Sequence, residues 1–194
     1  MMWIWGFLKV DCAVMFESKV KQWICDDPER HRALVTAAEF RLNDWCIAAG
    51  FVRNLVWDKL HSYAQSTPLA DIDLIYFDAA NISTEFELAI ENTLKEKSGL
   101  NWSVKNQARM HHRNADQPYR DAAHAMMHWV EVETAVSARL SNSGELEVVA
   151  PFGLENLQNL TITLNQYRPK LEEFHSRIRQ KQWLDIWPKL RVVE

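Results

Sequence analysis

The chain has 194 residues, 47% of them hydrophobic and 25% charged, with a formal net charge of −4. That size and balance suit one globular domain with a sizeable core, and the net acidity argues against a broad nucleic-acid-binding face, which depends on clustered Lys and Arg. Cys12, Cys25 and Cys46 are odd in number and show no CxxC or zinc spacing, so free thiols in a cytoplasmic protein are expected.

Met1 to Phe16 is apolar, but Lys9 and Asp11 interrupt it, and neither a basic opening nor a cleavage site marks a signal peptide. It is too short to span a bilayer, and Met15 offers an alternative start. From Met15 to about Cys25 the pattern is helical. Asp27-Pro28 reads as a cap followed by a first-turn proline, starting a helix to about Phe40. Asn43-Asp44 breaks it before a short strand, Trp45–Ala48. Gly50 then opens a helix to about Tyr63, with Val52, Leu55, Val56 and Leu60 on one apolar face.

After the loop at Ser66-Thr-Pro68 comes Leu69-Ala-Asp-Ile-Asp-Leu-Ile-Tyr-Phe-Asp78, an apolar strand that opens with two acids. Thr84-x-x-Glu87 fits a capping box for a helix ending near Ser98-Gly99. Asn101–Ala108 contains a strand, Met110–Gln117 reads as a polar surface loop, and Pro118–Trp129 as a helix. Thr134–Leu140 and Glu145–Ala150 flank Ser141-Asn-Ser-Gly144 as a hairpin. A short helix near Leu154–Asn159, a strand at Leu160–Leu164 and one amphipathic helix from Lys170 to Trp187 complete the chain. Nine tryptophans against five glycines point to elements packed through large aromatics.

Asp71 and Asp73 lie two apart in an extended segment, so both carboxylates leave the same face. Like charges held that close call for a cation, and a hard, oxygen-loving one is the usual answer. A glycine at a helix start, as at Gly50, lets backbone N–H groups approach phosphate oxygens. Glu147, in the middle of the last hairpin strand, offers a third carboxylate, although Glu145 and Glu147 equally suit its wet face. Glu131 ranks below it, as a capping or pairing residue. Lys105, Asn106, Gln107 and Arg109 form a polar run suited to phosphate, acceptor or plain solvent. Arg53 can reach phosphate or pin its helix to Asp58. Asp78 leaves the opposite face and reads as structural. His124 and His128 have the spacing of two zinc ligands, but no glutamate adjoins them, so a packing role is expected. Trp57, Trp183 and Trp187 read as packing.

Jointly, Ala48-Ala-Gly-Phe-Val-Arg-Asn54, Asp71-Ile-Asp-Leu-Ile-Tyr-Phe-Asp78, Lys105-Asn-Gln-Ala-Arg-Met-His111, Thr134-Ala-Val-Ser-Ala-Arg-Leu140, Gly144-Glu-Leu-Glu-Val-Val-Ala150, Ala150-Pro-Phe-Gly-Leu154 and Lys181-x-Trp183…Trp187-Pro188 resemble the polymerase-β-like nucleotidyltransferase superfamily. They are most similar to a bacterial family of nucleotidyltransferase-like proteins and to the head domain of tRNA CCA-adding enzymes. The likeness runs from about Leu42 to Leu190. It implies a mixed α+β fold with a short mixed sheet, as one domain over 1–194: a helical region at 1–41, a core at 42–152 and a helical region at 153–194. It also implies NMP transfer from an NTP to an acceptor, with Mg²⁺ or Mn²⁺ on Asp71, Asp73 and Glu147, and with Gly50, Arg53, Lys105 and Arg109 toward the nucleotide. The alternative is a non-catalytic nucleotide- or metal-binding regulator. The acidic chain favours a small-molecule or protein acceptor over RNA, and no membrane partner is expected. Two positions depart from the CCA-type Gly-Gly-x-Val-Arg-Asp turn: Ala49 replaces the first glycine and Asn54 the aspartate.

Overall fold

The computed structural model describes the backbone of residues 3–194 and the side chains from Ala13 onward. Helix α1 (Trp3–Cys25) gives way to α2 (Pro28–Ala38) at Asp27, whose carboxylate accepts from both the Arg30 backbone and its guanidinium. Proline sits in the first turn, where its missing N–H is no loss. The readings on Lys9, Asp11 and Cys12 concern side chains outside the described residues. Cys25 and Cys46 are both free thiols.

Five strands form the main sheet: β1 (Cys46–Ala48), β2 (Ile72–Tyr76), β3 (Trp102–Asn106), β4 (Ser137–Leu140) and β5 (Leu146–Val149). Their order is β3-β2-β1-β4-β5, parallel between β2 and β3 and antiparallel elsewhere. The sheet alternates residues between two unlike faces. Ile47, Leu74, Val104 and Ala138 join α1, α2, α3 (Gly50–Leu60) and α4 (Thr84–Ser98) in the large core. On the other face Cys46, Ala48 and Ile75 meet a smaller cluster with Ala122 and Met126 of α6 (Ala122–Met126). Asp73 shares this second face, because its rung partner is Ala48. The thinner cover leaves room for a cleft.

Edge strand β3 is closed by side chains of α4. Glu91 and Glu87 accept from the backbone N–H groups of Val104 and Asn106 at 3.0 and 2.7 Å, so the outward donors of the edge are not left bare. Glu87 is thus occupied, and the cap of α4 is not the expected box. Ser83 is the N-cap, accepting from the Phe86 N–H. The stretch expected as a loop after β3 is α5 (Gln107–Asn114). Asn106 caps it through the Ala108 N–H, and Arg109 anchors it with a bidentate pair to Glu87, so polarity there marks a tethered surface helix. The helix expected at 118–129 shrinks to α6, capped by Asp121.

The C-terminal region departs most. After α7 (Glu155–Gln158) and β6 (Thr161–Thr163), the single expected helix divides into α8 (Leu171–Gln180) and α9 (Trp183–Ile186), broken at Gln182 with φ 51°. The break turns Trp183 and Trp187 onto Trp57 of α3, at centroid distances of 5.7 and 5.1 Å. Buried Asp58 accepts from the Trp187 indole N–H at 2.8 Å and from the Thr67 N–H at 2.8 Å. Strand β7 (Arg191–Val193) then pairs in parallel with β6. The C-terminal helices are thereby fixed as one wall of the cleft above Asp73. No helix among the described residues is long and apolar enough to cross a membrane.

Candidate active site

Asp71 and Asp73 both line a cavity of about 580 Å³, together with Gly50, Arg53, Asn54 and Lys181. Asp73 is half-buried on β2, and burial followed by the neighbouring Asp71 charge raises its pKa. Arg53, Lys181 and the Ser103 hydroxyl pull it back. Asp71 is exposed just before β2 and accepts from the Asn101 side chain at 2.7 Å. Two carboxylates on one side of an extended segment, one of them strained by the other's charge, form a donor set that suits a hard divalent cation.

The β1–α3 turn forms the cavity's next wall. Ala49 has φ 56° and ψ −119°, a conformation that favours glycine, and no side chain caps α3. The helix start therefore faces the cleft with backbone groups, the arrangement that receives anions. Gly50 has ordinary backbone angles, and its value is space: a Cβ there would meet the Asn54 side chain at 3.3 Å. The strained position is thus Ala49. Ala49→Gly should stabilise the protein by about 1 kcal/mol, the relieved strain exceeding the entropy that glycine adds to the unfolded chain. Urea denaturation of the two proteins measures it; a less stable variant would mean that the turn accommodates alanine without strain.

Arg53 runs under the cleft, between the Trp57 and Trp183 rings at 5.0 and 4.5 Å. Its Nη1 donates to the Thr134 hydroxyl at 2.7 Å, and that hydroxyl donates to buried Glu131 at 2.8 Å. Arg177 of α8 donates to the same carboxylate at 2.7 and 3.2 Å. Burial pushes the Arg53 pKa down to about 10 despite Glu131. For Arg177 burial acts the same way, but the Glu131 bond outweighs it and the pKa is raised. Arg53 does not pin Asp58, which is taken by Trp187 and Thr67.

A second cavity of about 280 Å³ opens on the other side of Asp73, lined by Lys105, Gln107, Asn114 and His128. Ala49, Asp73, Thr134 and Arg177 border both cavities. Lys105 is therefore at the site, although its Nζ leans back to the Val104 carbonyl at 2.9 Å and toward Glu91 at 3.6 Å. Asp73 thus stands at a waist between two chambers, with Asp71 in the larger one.

The structure does not bring Glu147 or Arg109 to this place. Glu147 lies on β5, three strands from β2, so roughly 14 Å separates it from Asp73 across the sheet at about 4.8 Å per strand. It pairs with its rung partner Arg139 at 2.7 Å, and Arg139 also binds Asp44 at 3.0 Å. By strand register it shares a face with Asp73, but strand order carries it away. Arg109 is spent on Glu87. Glu131, ranked lower from the sequence, is the carboxylate buried behind the cleft wall, where it holds the lining residues Thr134 and Arg177. Its only sequence signal was an acid just ahead of the hairpin. His124 and His128 stack edge-on at 5.0 Å beside Tyr119, and the His128 Nδ1 lies 2.9 Å from the His124 carbonyl. Among the described residues no group of three or more His, Cys, Asp or Glu is placed to hold a metal ion, so a cation here has the Asp71/Asp73 pair alone for carboxylates.

Comparison with known proteins bears on the family and the fold. No curated protein sequence matches the chain. A solved structure described as a CCA-adding enzyme head domain superposes with a TM-score of 0.80 at 28% identity, over 91% of this chain and 95% of the other. A CCA-adding enzyme in complex with CTP superposes at 0.57 with 15% identity, over 90% of this chain but 43% of the other, and a tRNA-processing enzyme complex at 0.52 with 13% identity, over 84% and 43%. Those two share the fold, and this chain spans under half of their length. A family model described as nucleotidyltransferase matches residues 35–192, and the chain belongs to that nucleotidyltransferase family.

Proposed function

We propose that the protein transfers a nucleoside monophosphate from an NTP to an acceptor hydroxyl, with release of pyrophosphate, in the cleft around Asp73. The observation that carries this reading is the convergence of Asp71 and Asp73 with the uncapped start of α3 and with Arg53 and Lys181, around one cavity. The related CCA-adding enzyme whose structure contains CTP supports an NTP as donor. Bound at the two aspartates, Mg²⁺ would offset charge on the phosphates as the transferred group changes partners.

The chain's own residues account for the rest. The α3 start offers N–H groups and the positive end of its dipole to the triphosphate. Lys181 and Arg177 stand on the opposite wall, where charge accumulates on the leaving pyrophosphate. In-line displacement puts entering and leaving oxygens on opposite sides of the phosphorus. Two chambers meeting at Asp73 provide for that: the larger, with Gly50, for the triphosphate, and the smaller, with Lys105, Gln107 and Asn114, for the acceptor. A chamber of 280 Å³ suits a small molecule or a single protruding group.

A second reading, a regulator that binds nucleotide without turnover, is favoured by the alanine at the strained turn and by the missing third carboxylate. Incubation with Mg²⁺, the four α-³²P-labelled NTPs and cell extract separates the two. Label appearing in an acceptor is the expected result. Saturable nucleotide binding with no transfer would establish the regulator instead, and absence of binding would end both.

A further inference from the structure

Strand register limits which side chains can add a metal-binding oxygen to the aspartate pair. On its own face, Asp73 has Asp71 and Ile75 as neighbours along β2, Ala48 across on β1 and Ser103 across on β3. Ala48 and Ile75 carry no side-chain oxygen. Glu131 and Glu147, the other acids considered, are held by Arg177 and Arg139. Ser103 is half-buried directly opposite Asp73 in the parallel pair, and its hydroxyl acts on the Asp73 carboxylate. Ser137 on the same face lies one strand further off, beyond Ala48, and the Thr134 hydroxyl is taken by Arg53 and Glu131, so Ser103 is the hydroxyl directly across from Asp73.

We infer that Ser103 is the position that sets the strength of the divalent-cation site: the cation is held by two carboxylates, Asp71 and Asp73, beside a neutral hydroxyl on the next strand, and a carboxylate at 103 would complete a three-acid cage. This rests on the cation reading of the aspartate pair. Two carboxylates hold a divalent ion weakly until substrate phosphates add their oxygens. The native site is then one whose cation arrives with the nucleotide, since protein alone supplies too few charged ligands to keep it. A third carboxylate on the opposite rung removes that dependence.

The test is Mn²⁺ binding to the full chain without nucleotide, followed by the EPR signal of the free ion, for wild type, Ser103→Asp, Ser103→Ala and Asp73→Asn. Ser103→Asp should bind Mn²⁺ roughly tenfold tighter than wild type, because ligand charge sets affinity in oxygen sites. Ser103→Ala should bind no tighter than wild type. If Asp73→Asn abolishes binding but Ser103→Asp leaves the affinity unchanged, the inference about Ser103 is overturned while the aspartate site stands. If Asp73→Asn binds as wild type does, the cation reading itself falls. Three acids crowded together without a cation can destabilise the Ser103→Asp protein, so its melting temperature is read with and without Mn²⁺. The inference requires Mn²⁺ to raise it more than in wild type, and an equal or smaller rise counts against it.

Discussion

Asp73→Asn should lower nucleotidyl transfer on the order of a thousandfold, the scale of removing a central electrostatic group from a reacting centre, without loss of the fold. Asparagine keeps the shape and removes one charge from a position where burial and Asp71 already disfavour it. The sign of the stability effect follows. A carboxylate whose folded pKa is raised holds its proton more firmly in the native state than in the unfolded one. The contribution of Asp73 to stability therefore falls as pH rises through and above the ordinary carboxylate range, and it recovers below that range. The asparagine variant lacks this loss, so in chelator at neutral pH it should be at least as stable as wild type. Thermal melts at pH 4 and pH 7, run beside the labelled-NTP assay, measure both halves. A variant that transfers normally would remove Asp73 from the chemistry, and one that melts much lower would make it a structural residue.

The largest effect on stability is expected at Glu131. Its carboxylate is 1% exposed and meets Arg177 directly and Arg53 through Thr134. Glu131→Ala leaves two guanidinium groups facing each other across an empty site, with their mutual repulsion no longer offset. Removing one partner of a buried ion pair costs about 3–5 kcal/mol, and in a chain of this size that lowers the melting temperature by on the order of 10 °C. Transfer should fall too, because Thr134 and Arg177 border both chambers. Glu131→Gln, which keeps the hydrogen-bonding oxygen, should recover part of the loss. A melting temperature within 2 °C of wild type for the alanine variant would show that the pair contributes little beyond its own desolvation.

Much of this molecule could be read along the chain. The Asp27-Pro28 start of α2, the β1–Gly50–α3 unit, the strand that follows Asp71 and the hairpin around Ser141–Gly144 all rest on local signals: a cap, a proline, a glycine, a two-residue alternation. The same locality explains why Asp71, Asp73 and Gly50 were legible as one group, since a strand, a turn and a helix of known periodicity fix which side each residue faces. The errors were of two kinds. Polar helices with a side-chain tether, such as α5, look like loops to any pattern that scores apolar periodicity, and the tether from Arg109 to Glu87 spans 22 residues. The break at Gln182 turns on a left-handed backbone angle that Trp183 and Trp187 secure by packing on Trp57, far away in the chain.

The sequence by itself determined the alternation that puts Asp71 and Asp73 on one face, and the helix start that waits beside them, because both follow from backbone geometry over a few residues. Only the tertiary structure decided which acids complete the site. Alternation along one strand cannot say which face of another it matches; the register puts Glu147 on the face of Asp73, and the order β3-β2-β1-β4-β5 sets Ser103 beside Asp73 and Glu147 three strands off. The pairing of Glu131 with Arg177, 46 positions later, was equally beyond local reading, because it depends on where α8 docks.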